Sequence, residues 1–343
     1  MERSSVSPCR VLLLVLVSQI FLHDTVFGGR IRMPSERLGF DDGSVVRATQ
    51  PLIGILTGEM DDMIGGFGTY HPGMSYIAAS YVKFVESGGA RAVPLLHNEP
   101  VESLRRKFSV INGLLLPGGD TNMDGGPFLD TVKLLLDWAI EANDKGDYFP
   151  VHGTCLGMEV LANVIAQRNM MESCIAKKTP ATLQFIDESK KSKSFFKWVP
   201  EDVLEKIPTV PLTIMNHKMG ITPATFASTK PLADFFEVLT LSPDDYGQMY
   251  VSSVQGKKYP VTATMFHPEK NMFEWTYNTI PHSAAAIQLS QSIADYFISE
   301  ARKSSHAPSS QDEVNNLLVN NYQPVFLGKI PPPIPFEEVY YFG

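Results

Sequence analysis

Cysteine is scarce in this chain of 343 residues, which carries only Cys9, Cys155 and Cys174. Three thiols are too few for a disulfide framework. No cysteine or histidine pair has the spacing of metal ligands, so neither a metal site nor a cofactor is expected. Asn-x-Ser/Thr sequons are absent, which excludes N-glycans. Positive charge is also in short supply: Lys and Arg total 29 against 37 Asp and Glu, for a net charge of -8. Without a cation excess or a basic run there is little to release counterions from a phosphate backbone, so nucleic acid is excluded as a partner. No apolar run beyond the N-terminus is long enough to span a bilayer. There is no internal repeat, and at 19% charged and 44% hydrophobic the composition excludes a disordered chain.

What is present begins with a targeting signal. Arg3 and Arg10 precede the apolar stretch Val11–Val17, extended through Ile20, Phe21 and Leu22 and followed by Gly28 and Gly29. Residues 1–28 are read as a cleaved secretory signal peptide, with an uncleaved anchor as the alternative. The expected destination is the secretory pathway, ending outside the cell, in the wall or in a vacuole, with no membrane attachment after cleavage. Residues 29–49 form a loose arm, and 50–343 a single domain whose tail extends from about 304. Pro331–Pro335 in that tail reads as an extended segment on the surface.

The domain alternates strands and helices. Continuous apolar runs at 51–57, 92–96 and 113–116 have strand length, and a further strand is expected at Tyr148–Val151. Helices are predicted over about 75–86, with Tyr76, Ala79, Tyr81 and Phe84 on one stripe, and over 101–108, 128–143 and 156–167. Runs at 236–239, 249–252 and 259–265 look like antiparallel strands returning to the same domain, before a helix at 283–303. This is an α/β pattern: a three-layer sandwich with a mostly parallel central sheet covered by helices on both faces, plus antiparallel strands from the C-terminal half.

One turn stands out. In Gly153-Thr154-Cys155-Leu156-Gly157 an apolar strand enters and an amphipathic helix leaves, the pattern of a nucleophile elbow with cysteine in the place of serine. The helix N-terminus favours a thiolate, and its free amides can hold an oxyanion. Taken alone, the local pattern divides evenly between this and a structural cysteine in a glycine turn; the flanking strand and helix favour the nucleophile. A thiol nucleophile needs a base. His267, at a strand end in Phe266-His267-Pro268-Glu269-Lys270, can serve, with Glu269 turned back to orient it. A surface or core histidine with no role is the plain alternative. Cys174 reads as a small buried apolar residue.

The Gly153–Gly157 turn with His267-Pro268-Glu269 resembles the class I glutamine amidotransferase fold. Pro117-Gly118-Gly119 resembles that fold's oxyanion strand, where the amide of Gly119 would join that of Leu156. More narrowly, the chain resembles the gamma-glutamyl hydrolase family, peptidase family C26, in its plant forms. The likeness runs through Pro51–Leu56, Ser75–Lys83, Tyr259-Pro260-Val261, Phe266–Lys270, Phe273-Glu274-Trp275, Pro281-His282-Ser283 and Ser299–Lys303, nearly all of the chain after the arm. The resemblance implies hydrolysis of gamma-glutamyl bonds in folate and antifolate polyglutamates through a Cys155 thioester. His267 would be base and then acid, Glu269 its orienter, and the enzyme a homodimer. It also implies substrate-binding roles for Glu159, His217 and Lys218, the lysine holding a substrate α-carboxylate. A solvated loop pair and an acid complementing the helix dipole explain the same three residues without a ligand. A glutaminase or gamma-glutamyl dipeptidase of this fold and a non-catalytic binding protein are the competing functions. His152, Met219 and the segment Pro72–Ser75 depart from the family pattern.

Overall fold

The computed structural model describes residues 48–60, 74–329 and 336–343. The expected signal peptide, most of the arm, most of the glycine-rich loop after Gly58 and the Pro331–Pro335 segment lie outside the described residues.

The central sheet has eight strands. Five run parallel, in the order Arg91–Leu95, Leu52–Leu56, Gly113–Leu116, Val151–Thr154 and Val261–Thr264. Met249–Gly256, Phe236–Pro243 and Gln184–Phe185 continue the sheet in antiparallel sense. The apolar runs in the first strands are buried at every position, because both faces are covered. The two covering layers can be read from adjacent residues of one strand. His152 lies between the rings of Phe84 and Phe297, on the helices Ala79–Ser87 and Ala284–Ala301. Gly153 faces Gly157 and Leu161, on the helix Leu156–Ala166. Neighbouring residues of a strand point to opposite faces, so these helices form separate layers.

Two predicted elements need correction. The strand before the cysteine is Val151–Thr154 rather than 148–151. The Asn143 side chain bonds both the amide and the carbonyl of Phe149, occupying groups that a ladder would use, and Pro150 has no amide to give. The helix expected from Ser75 begins at Ala79; Ser75–Ala78 is a strand. It lies between Gly58–Glu59 and Glu338–Phe342, antiparallel to both. Pairing with residues distant in sequence overrides the local helical stripe. The ribbon of Glu172–Ala181 with Thr213–Gly220 is an addition that no sequence run announced.

Candidate active site

Cys155 occupies the turn between Val151–Thr154 and the helix Leu156–Ala166, with φ 52° and ψ -108°. A side chain held at positive φ is strained, and such strain concentrates at functional turns. The turn depends on its glycines. A Cβ on Gly157 would stand 2.2 Å from the Leu116 carbonyl oxygen, and one on Gly153 would stand 2.8 Å from the Gly157 carbonyl. The Cys155 amide donates to the Thr264 carbonyl at 2.7 Å, tying the elbow to the next parallel strand. In that strand Thr264 lies opposite Thr154, so His267, three residues on, emerges beside the cysteine.

Gly118 shows how closely the groups converge. A Cβ there would lie 2.7 Å from Tyr81 Oη, 2.8 Å from His267 Cε1 and 3.3 Å from Cys155 Cβ. His267 Nδ1 is 2.7 Å from Glu269 Oε1. An ionised carboxylate only accepts, so Nδ1 carries the imidazole proton and Nε2 presents a lone pair. Nε2 is buried and has no partner. Burial lowers the His267 pKa and outweighs the raising effect of Glu269. Burial would raise that of Glu269, but the charge and hydrogen bond of His267 hold it below the ordinary range. The pair therefore rests as neutral imidazole and carboxylate.

The thiol corrects an expectation. The Leu156 amide does bond the sulfur and favours the thiolate, but burial, followed by the charge of Glu159, pushes the Cys155 pKa well above its ordinary value. The resting sulfur is a thiol, and deprotonation belongs to the reaction itself. This arrangement suits acyl transfer: a thiol, a base with a free lone pair, an orienting carboxylate, and the Leu156 amide at the sulfur.

The remaining predicted residues separate. Glu159 lies one turn along the nucleophile helix, half-buried. Burial and the nearby Asp120 push its carboxyl up to about 8. His217 is buried; its Nδ1 donates to the Cys174 carbonyl at 3.1 Å, so its unpartnered Nε2 is an acceptor. Burial lowers its pKa to about 4, and His267 contributes to that lowering. Lys218 follows on the strand Thr213–Gly220, points the other way and is exposed. The structure therefore brings Glu159 and His217 to the site and leaves Lys218 out of it. Met219 is also exposed. Cys174 is buried as expected, and burial pushes its thiol up to about 12. Among the described residues no group of His, Cys, Asp and Glu could hold a metal ion.

Two tyrosines were not singled out for the site from sequence. Tyr81 Oη accepts from the Gly118 amide at 2.7 Å and lies 3.4 Å from His267 Nδ1. Tyr76 Oη would be 3.2 Å from a Cβ on Gly119. Their spacing in Ser75–Lys83 read as a helical core stripe, which hid both.

Residues 51–269 match the family model Peptidase C26. The chain is 42% identical over 294 residues to gamma-glutamyl hydrolase 1 of Arabidopsis thaliana, covering 85% of this chain and 83% of the relative. It is 41% identical to the gamma-glutamyl hydrolase of Glycine max, covering 90% of this chain and 91% of that protein. Among solved structures, it is similar to the glutaminase domain of Trypanosoma brucei CTPS with bound acivicin, at a TM-score of 0.48 and 14% identity, covering 76% of this chain and 98% of that one. The chain belongs to the peptidase C26 family, a family of cysteine peptidases. Within it, these two plant relatives are gamma-glutamyl hydrolases.

Proposed function

We propose that this protein hydrolyses gamma-glutamyl amide bonds in folate and antifolate polyglutamates, with Cys155 as nucleophile. The observation that carries the mechanism is the convergence of Cys155, His267 and Tyr81 on Gly118. His267 Nε2 takes the thiol proton as the sulfur attacks the γ-carbonyl carbon. The oxyanion forms against the amides of Leu156 and Gly119. Collapse breaks the C–N bond, and Nε2–H returns its proton to the departing glutamate nitrogen. Water then loses a proton to Nε2 and adds to the thioester, releasing the γ-carboxylate and restoring the thiol. Glu269 keeps the imidazole in the required tautomer throughout. His217 Nε2 accepts from a substrate N–H, and Glu159 receives an amide or ammonium of the γ-glutamyl group.

The enzyme travels the secretory route, on the strength of the segment from Arg3 to Gly29. Among the described residues no helix is long and apolar enough to cross a membrane. It works as a homodimer, as its family resemblance suggests, and sedimentation equilibrium reads this directly.

Incubation with pteroylpentaglutamate and, separately, with glutamine tests the substrate. Shortening of the polyglutamate chain is expected; turnover of glutamine alone would replace this reading with a glutaminase. Cys155→Ala is expected to abolish turnover, and full activity in that variant would remove the mechanism.

A further inference from the structure

Tyr76 carries a hydroxyl that none of the steps above employs. It is 2% exposed, and its Oη is buried without any hydrogen-bond partner. An O–H in that state has given up water for nothing in the free protein, an arrangement native structures keep for a reason. The ring is bracketed by two glycines: a Cβ on Gly58 would stand 2.9 Å from its Cε1, and one on Gly119 would stand 3.2 Å from its Oη. The Gly119 Cβ position is also 3.4 Å from Leu156 Cδ2. The hydroxyl is thus seated beside Gly119 and near Leu156, whose amide bonds the sulfur.

Its position is fixed from outside the turn. The strand Ser75–Ala78 is hydrogen-bonded on both edges, and the Phe336 ring lies 5.8 Å from that of Tyr76. The proton is also fixed. Burial, with Asp120 and Cys155 beside it, raises the phenol far above its ordinary range, so the group is a neutral donor wherever the enzyme works. Gly118's own amide is already given to Tyr81, so the donors left to this side of the site are few.

We propose that Tyr76 is a catalytic residue, its hydroxyl the third donor to the oxyanion beside the amides of Gly119 and Leu156. The bond is made as charge moves onto the γ-carbonyl oxygen and is released when the intermediate collapses; Tyr76 transfers no proton. This inference rests on the proposed gamma-glutamyl hydrolysis for its substrate.

Tyr76→Phe keeps the ring and removes the donor. Wild type and variant are compared on pteroylpentaglutamate and on γ-glutamyl p-nitroanilide, together with the rate at which iodoacetamide alkylates Cys155. Alkylation forms no oxyanion. Expected are a kcat lower by roughly 10²-fold, a nearly unchanged KM, an unchanged alkylation rate and an unchanged Tm. A kcat within about twofold of wild type on both substrates would overturn the proposal. So would a loss confined to KM, which marks ground-state binding, or an equal loss in alkylation, which marks a displaced thiol. A wild type inert on the polyglutamate but active on the anilide would correct the substrate and leave Tyr76 to be judged on the anilide.

Discussion

At the scale of single residues, two opposed shifts set the resting state. Burial raises the Cys155 thiol and lowers the His267 imidazolium, so neither group carries charge before substrate arrives. An ion pair poised in advance would give an acid limb set by the thiolate; a neutral pair gives one set by the imidazole. Activity is lost only as pH falls through the depressed His267 pKa, because the protonated ring cannot accept the thiol proton. The acid limb of kcat/KM is therefore expected below the ordinary histidine range, near 6.5. Glu269 works against the depression. Glu269→Gln should move the acid limb to still lower pH and lower the plateau by roughly 10³–10⁴-fold, since the tautomer is no longer held. A pH–rate profile of both proteins reads the two effects together. A limb that moved upward would mean that the carboxylate does not govern this imidazole.

At the scale of elements, the nucleophile helix and the strand Gly113–Leu116 meet without a side chain between them. Gly157→Ala would drive a Cβ to 2.2 Å from a backbone oxygen, which cannot rotate aside. The expected cost is about 1–3 kcal/mol in urea unfolding, with a loss of activity larger than that of stability because the elbow itself is pushed. This contact was legible in sequence, since Gly153-Thr154-Cys155-Leu156-Gly157 sits between an apolar strand and an amphipathic helix. His267-Pro268-Glu269 was legible for the same reason: its parts are adjacent in the chain. Apart from the strand start that Asn143 and Pro150 set locally, the misassignments come from elements whose state depends on distant partners. Ser75–Ala78 has helical spacing and becomes a strand only through its two edge partners, and Tyr76 was hidden with it. Thr213–Gly220 mixes polar and apolar residues in a way that announces no strand. His217 and Lys218 therefore read as one cluster, although strand alternation sends them to opposite sides.

At the scale of the molecule, the site draws on three sheets. The central one supplies Cys155, His267 and the Pro117–Gly119 turn, the two-stranded ribbon supplies His217, and a smaller sheet of four strands supplies the strand of Tyr76. In the smaller sheet Val339 pairs with Ala78, and Phe342 with Ser75. Lys270, in the helix that carries Glu269, stands over the Phe336 ring at 4.8 Å, and the Glu337 amide donates to Glu274. The segment 336–342 thus braces both the tyrosine strand and the helix after the base. Removing residues from Phe336 onward is expected to lower kcat by about 10²-fold while Cys155 still reacts with iodoacetamide, because the tyrosine donor is displaced and the thiol, held by the central sheet, is not. Unimpaired turnover by the shortened chain would show that the brace does not bear on the chemistry.

That brace has a consequence for the order in which the molecule comes into being. The ribosome delivers the cysteine turn and the histidine strand well before the residues near 340, and pairings between segments so far apart form late. A nascent chain long enough to hold nucleophile and base still lacks the strand that seats Tyr76. Full hydrolytic power is thereby deferred until translation has passed the last of its supports, while the thiol itself is already reactive.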